Sequence, residues 1–411
     1  MTSLALFTFI LFVPHRYLSD RLWHELRWLP SIVMAVFLTV VFVTYPKRVF
    51  KFPLLSVVCV ILAIEMMTGI VSLVPSLALS RVIYYALTGA AVGLMAFVAL
   101  RSSSEVGTYW RIATIAGALS AGYGIVEFCI GENFFWGSTF SQGNFLYARF
   151  ASDSFGKRIL STVGHPVYLG TVLAGLLPLS LHYAVSDEGV ARKFSLSILI
   201  LISLGLILTF ARGAYLAAAI GLLVYAWKLS ARARLNGLIV LGTVVIVALS
   251  FSTVRDTLLG RNTLEQLSEF RSDQRGIAYR QATQLLLKAP LTGHGLGHYR
   301  YLAKEPLDYN QTTDNMYLRI LVESGVAGFC AVVYLIVKLS GHLIHASRRL
   351  PDLLAQRLSL AVLSSLVAFL VDMTTCDALY FPLTRYLFWA ICGSGLALYA
   401  LSTEKEGVKA V

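Results

Sequence analysis

Apolar residues run along this chain in blocks of roughly the length that crosses a bilayer core, about 17 to 25 residues, separated by short polar turns. Such blocks lie near residues 31 to 45, 53 to 73, 82 to 100, 110 to 130, 166 to 185, 194 to 210, 212 to 228, 236 to 254, 315 to 337, 357 to 375 and 384 to 402. The start, Met1 to Val13, is apolar but lacks the basic n-region and cleavage site of a signal peptide, and it counts as a further span. The pattern predicts an all-α, polytopic integral membrane protein of about twelve transmembrane helices, forming one membrane domain over residues 1–411.

Two polar stretches break this pattern, 131–165 and the longer, arginine-rich 255–313. A structureless insertion as long as the second is improbable in a compact domain unless it is functional or disordered. Within it, the spacing predicts an amphipathic helix from about Asp273 to Leu287, with Ser272 or Asp273 as N-cap and Pro290 beyond its end. Ala278, Ala282 and Leu285 share one face of that helix, while Arg275 and Tyr279 line another. The turn that follows, from Pro290 to Gly297, holds three glycines. It reads either as a plain surface turn or as backbone that approaches a ligand closely.

Composition agrees with the pattern: 57% of residues are hydrophobic and 14% charged, against about 25% charged in soluble domains. Short basic loops set the orientation, because Lys and Arg accumulate on the cytoplasmic side. Lys47, Arg48 and Lys51; Arg192 and Lys193; Lys228, Arg232 and Arg234; and Lys338, Arg348 and Arg349 all fall on one side by span count. Both polar insertions then lie on the opposite, external or periplasmic face. Arg16, Arg21 and Arg27 run against this rule. The net charge of +12 comes without a basic run or an aromatic RNA-binding signature, so nucleic acid is not an expected partner. The external arginines would instead attract an anionic lipid, phosphate or polysaccharide. Five scattered cysteines show no disulfide or CxxC spacing and read as small core residues.

Candidate chemistry gathers at a few polar positions. Arg212 interrupts two apolar helices within Thr209-Phe210-Ala211-Arg212-Gly213. It reads as a functional intramembrane charge or as a snorkelling arginine at a tight turn. Asp314 stands where a strongly apolar helix begins, as an N-cap or as a general base. His165 precedes Pro166 at a helix entrance, with Arg158 just upstream. Among the other acids, Glu65 is centred in its span, Glu127 lies within another, and Asp372 and Asp377 cluster near Arg385, which suits an Asp377–Arg385 ion pair. His294 and His298 lack the glutamate of a metalloprotease pattern, so no metal is expected. No phosphate-cradling or dinucleotide motif is present either, so no cofactor is implied.

Four stretches together resemble the superfamily of bacterial O-antigen ligases and O-antigen or exopolysaccharide polymerases. They are Thr209 to Tyr215, Asp273 to Tyr279, Ala289 to Gly297, and Asp314 to Gly328, the last reading DNMYLRILVESGVAG. The resemblance covers roughly residues 158 to 330 and implies a GT-C-like helical fold in the bacterial inner membrane, with the external loop capping the site. It also implies transfer of a glycan from a polyprenyl (undecaprenyl) diphosphate carrier to a hydroxyl of an acceptor glycan, inverting and metal-independent. Arg212 and Arg275 match the family arginines that hold the diphosphate. Asp314-Asn315 stands where many ligases have histidine followed by asparagine, so Asp314 is expected as base or acceptor anchor, and the departure leans toward a polymerase over a lipid A-core ligase. Arg158, His165, Tyr279, His294, Asn315 and Arg319 are expected to contact substrate. The rival from another class is a lipid-linked oligosaccharide flippase using Glu65 or Glu127, although the halves show no repeat symmetry.

Overall fold

The computed structural model describes residues 29–135, 158–229, 264–303 and 312–409, with isolated positions between 231 and 246. Side chains are described from residue 35 to 404, leaving out 264–275. The expected span at Met1 to Val13, the Arg16–Arg27 loop and most of the 236–254 span lie outside the described residues, as do 136–157, 255–263 and 304–311 of the polar stretches.

Every described element is helical. In chain order these are α1 (Leu29–Thr44), α2 (Pro46–Val49), α3 (Leu55–Ile70) and α4 (Pro75–Tyr85), the last running through a π-helical turn, Ala86–Ala90, into α5 (Ala91–Ala99). Then follow α6 (Ser103–Ile130), α7 (Pro166–Ser186), α8 (Gly189–Leu208), α9 (Arg212–Ala226), α10 (Leu264–Lys288) and α11 (Tyr299–Leu302). The chain closes with α12 (Met316–Arg349), α13 (Leu353–Asp372) and α14 (Pro382–Lys409). Seven of the described helical segments are long and apolar enough to cross a membrane: Pro75–Ala99, Ser103–Ile130, Pro166–Ser186, Gly189–Leu208, Met316–Arg349, Leu353–Asp372 and Pro382–Glu404. Three shorter apolar helices, at Ala35–Thr44, Leu55–Ile70 and Arg212–Ala226, coincide with expected spans.

Helix α7 is the centre of the bundle, with nearly all its residues buried, and it packs against α6, α8, α9, α13 and α14. Small residues let these helices approach, as is usual where lipid supplies no hydrophobic drive between them. A Cβ on Gly221 of α9 would come 2.8 Å from Ala368 of α13, and one on Gly393 of α14 would meet the carbonyl of Gly93 in α5. Alternation of the helices puts the turns 71–74, 209–211 and 373–381 at one end of the bundle. The starts of α7 and α12 share that end, and Lys47, Arg48, Arg192, Lys193, Arg348 and Arg349 lie at the other.

Three local expectations are corrected. Helix α10 begins at Leu264, so Ser272 and Asp273 lie inside it and neither is its N-cap. Asn315 caps α12, its side chain accepting from the Leu318 N–H at 3.1 Å; Asp314 lies one residue before the cap. Asp377 pairs with Arg319 at 2.8 Å and not with Arg385. Arg385 is reached instead by the Thr88 hydroxyl in the π-turn and by the carbonyls of Leu379 and Tyr380, to which it donates.

Candidate functional site

The polar positions converge at the end of the bundle away from the basic loops, around the connection 373–381. Helix α8 stops at Leu208, and Phe210 takes a left-handed φ of 50°, a conformation rare for a bulky residue. The chain reverses there, and α9 starts at Arg212. A Cβ on Gly170 would come 2.9 Å from Ala214, and one on Gly213 would collide with the Thr375 hydroxyl, so the start of α9 is wedged between α7 and the 373–381 connection. Buried Arg158 donates from Nε to the Thr209 carbonyl at 2.8 Å and ties the stretch before α7 to the same turn. Arg212 itself is exposed and has no hydrogen bond or ion pair among the described residues. Its side chain stands at the start of α9, the end at which a helix leaves N–H groups without intrahelical partners, and no side chain caps it there.

Asp314 reaches this region from the other side. It adopts φ of 46°, is partly exposed, and accepts from the Thr312 hydroxyl at 3.1 Å. The strap around it is gripped by Asp377, whose carboxylate is buried. Asp377 accepts from the Thr313 N–H at 3.2 Å, the Thr313 hydroxyl at 2.6 Å, the Asn315 N–H at 3.3 Å and Arg319 Nη1 at 2.8 Å. The Met316 N–H then donates to the Met373 carbonyl at 2.8 Å, so the start of α12 rests on the same connection that supports the start of α9. Charge links extend the cluster: Tyr168 of α7 and buried Tyr299 of α11 both lie within electrostatic reach of Asp314, Arg319 and Asp377. Burial pushes the Tyr299 phenol up to about 12, and its hydroxyl donates to the Ala278 carbonyl at 3.2 Å.

That bond brings α10 to the cluster. Ala282 and Leu285 of α10 pack with Tyr299, Ala303 and Val322, and Ala278 is buried beside them, so the expected apolar face is the one that docks. Tyr279 is exposed on another face. Arg275 belongs to this helix, one turn before Ala278, but its side chain lies outside the described residues.

The remaining expected positions hold the frame. His165 caps α7, its Nδ1 accepting from the Val167 N–H at 3.3 Å, and its ring lies 4.6 Å from that of Tyr168, which stacks on Phe381. Asn315 is the α12 cap. Arg319 is 1% exposed, bonds Glu323 at 3.2 Å as well as Asp377, and lies 3.9 Å over the Tyr380 ring. His294 Nε2 meets the Leu285 carbonyl at 2.8 Å and fastens the glycine turn to α10.

What the glycine turn approaches is the chain's own backbone. Helix α12 breaks at Gly325, with φ 65° and ψ −174°, a region open in practice to glycine alone. The break frees carbonyls of the helix, and the turn fills them: the N–H groups of His294 and Gly295 donate to Val322 and Glu323 at 3.0 and 2.8 Å. The Val326 N–H returns a bond to Pro290 at 2.8 Å. A Cβ on Gly293 would collide with the Glu323 carbonyl. The far side of the turn reaches α4, where His298 Nε2 accepts from the Val74 N–H at 3.0 Å. Burial lowers the pKa of this imidazole, which suits its acceptor role.

Asp377 is the position whose partner sequence reading misassigned. Its proximity to Arg385 in the chain pointed to the wrong partner, and only the 62-residue separation bridged by its bond to Asn315 reveals its place.

Residues 197–333 match the model of the O-antigen ligase family, which bears out the resemblance to the O-antigen ligase superfamily. The matched stretch runs from α8 into α12 and contains Arg212, Arg275 and Asp314. No curated protein matches the chain.

Proposed function

We propose that this membrane protein transfers a glycan from a polyprenyl diphosphate, undecaprenyl diphosphate in bacteria, to a hydroxyl of an acceptor glycan at the end of the bundle formed by the starts of α9 and α12. The observation that carries the reading is the convergence of Arg212, unpaired among the described residues, and the Asp377-gripped Asp314 on one connection, inside the region that matches the O-antigen ligase family. Family membership supports lipid-linked glycan and acceptor substrates in a membrane.

The reaction is an inverting displacement. The acceptor hydroxyl attacks the anomeric carbon, the bond to the diphosphate oxygen breaks, and the polyprenyl diphosphate leaves with its electron pair. Arg212, with Arg275 from α10, neutralises the charge that develops on the departing group; fixed donors of this kind contribute about 2.7 to 4 kcal/mol each in known cases. Asp314 takes the hydroxyl proton, or anchors the hydroxyl while a histidine, His165 or His294, takes it. Arg158, His165, Asn315, Arg319 and His294 shape the site by holding its walls, and Tyr279 faces outward beside Arg275 on the covering helix. No metal or cofactor takes part in this scheme.

The full arrangement is a single membrane domain of about twelve GT-C-like spans in the inner membrane, with the site facing the periplasm or exterior. The basic short loops at the opposite end of the bundle support that orientation through the positive-inside bias. Asp314 in place of the histidine common in ligases favours a polymerase. Incubating the purified protein with a polyprenyl-diphosphate oligosaccharide, with and without a lipid A-core acceptor, tests the proposal. A ladder of lengthening glycans is the polymerase result and a single acceptor shift the ligase result. Recovery of unchanged donor in both arms contradicts the scheme.

A further inference from the structure

Three arginines surround Tyr380. Two of them, Arg319 and Arg385, are buried and bonded: Arg319 to Asp377 and Glu323, Arg385 to Thr88 and to two carbonyls, with the rings of Tyr84 and Tyr85 against its guanidinium. The third, Arg81, is different. It stands in the second turn of α4, within a segment long and apolar enough to span a membrane. It is half-buried, and among the described residues it has no hydrogen bond or ion pair. An arginine at that depth is costly unless it faces a partner or a wet cavity, which makes it a functional position by default.

Its surroundings place it at the same end as Arg212 and Asp314. The guanidinium lies 5.9 Å from the centre of the Tyr380 ring, the ring that also carries Arg319. The stem runs beneath Gly297, where a Cβ would come 3.2 Å from Arg81 Cγ, so the glycine turn leaves room for this side chain. The start of α4 is pinned to that turn by the bond from Val74 to His298 and by close contact between Ser72 and Gly295. A continuous chain of contacts therefore runs from Arg81 through Tyr380, Arg319 and Asp377 to the strap that carries Asp314.

We propose that Arg81 binds an oxyanion of the substrate, as a further binding residue of the site outside the 197–333 match. This rests on the reading of the site as one for a lipid-diphosphate glycan. A guanidinium fork suits either a phosphate or a carboxylate in bidentate fashion, so the group it holds is the diphosphate of the carrier or the carboxylate of an acidic sugar. Tyr380 and the Arg319–Asp377 pair stand in the contact path between Arg81 and the α12 start, so Arg81 approaches the strap of Asp314 from the α4 side.

The test uses the full chain in detergent as wild type, Arg81→Gln, Arg81→Lys and Arg212→Ala, titrated with sugar-free polyprenyl diphosphate and, separately, with a glucuronate-containing oligosaccharide. The Gln variant should bind one of the two probes about tenfold more weakly, as expected for loss of a charge-assisted contact. The Lys variant should fall between it and wild type. Weakening toward the diphosphate identifies the carrier as the source of the oxyanion, and weakening toward the glucuronate alone identifies an acidic sugar. The melting temperature should stay at the wild-type value, since Arg81 has no polar partner in the described fold; a marked fall overturns the proposal in favour of a structural role. Wild-type affinity of Arg81→Gln for both probes also overturns it, while a loss of diphosphate binding in Arg212→Ala in that same experiment leaves the site reading standing. Absence of diphosphate binding by the wild type overturns both.

Discussion

Asp377 brackets Asp314 from the opposite side of the sequence: its carboxylate accepts the backbone N–H of Thr313 at 3.2 Å and that of Asn315 at 3.3 Å, the two residues that flank Asp314. The strap is thereby fixed in a left-handed turn at Asp314, which stays partly exposed next to buried Thr313. Replacing Asp377 by Asn keeps the shape but removes the charge facing Arg319. Removing one member of a buried ion pair costs about 3 to 5 kcal/mol, so Asp377→Asn should lower the melting temperature and reduce kcat more than it raises KM. Restoring stability with Arg319→Met in the same chain, without restoring turnover, would separate the positioning of Asp314 from simple folding.

Asn315→Ala removes the side chain that accepts from the Leu318 N–H at 3.1 Å. Loss of such a cap costs about 1 kcal/mol. A small fall in melting temperature is the expected outcome, and an Asn315→Asp or Asn315→Ser variant, which can still cap, should recover most of it. Thermal unfolding in detergent reads both.

Gly325→Ala should be far more damaging. The backbone there is in a region reserved for glycine, and a Cβ would collide with the Leu291 carbonyl. The turn 290–297 would be expelled from the break in α12, taking His298 away from Val74. Proteolytic nicking within 290–303 should rise steeply in the variant while the wild type stays protected.

The His298 imidazole provides a pH dependence. Burial lowers its folded-state pKa below the ordinary histidine value of 6.5. The unfolded chain therefore binds the proton more readily, and stability rises with pH across the window between the folded value and 6.5. The stabilisation is complete above that window and is lost as pH falls through it, because a charged imidazole cannot accept from Val74. Melting temperature measured from pH 8 to pH 5 should drop on the acid side, and His298→Gln should flatten that part of the curve.

Elements specified locally were legible in the chain. The apolar runs at 166 to 185 and 357 to 375 became α7 and α13, because a run of that length must bury or meet lipid along its whole course. His165-Pro166 marked a helix start, and Ala278, Ala282 and Leu285 marked the docking face of α10, since both signals lie within a few turns of chain. The candidate site was legible only in part. Arg212 and Asp314 stood out as polar residues beside apolar helices, but the grip of Asp377 on residue 313, the docking of the glycine turn into the Gly325 break and the burial of Arg319 are contacts between distant segments. No periodicity encodes them.

The central claim, that Arg212 serves transfer from a lipid diphosphate at this site, is tested most directly by the rate at which the purified protein releases free polyprenyl diphosphate from a polyprenyl-diphosphate-linked glycan in the presence of acceptor. The wild type should release the carrier in step with glycan transfer. Arg212→Ala should lose about 100- to 1,000-fold of that rate while still inserting in the membrane. Release by Arg212→Ala at the wild-type rate, or no release by the wild type, would contradict it.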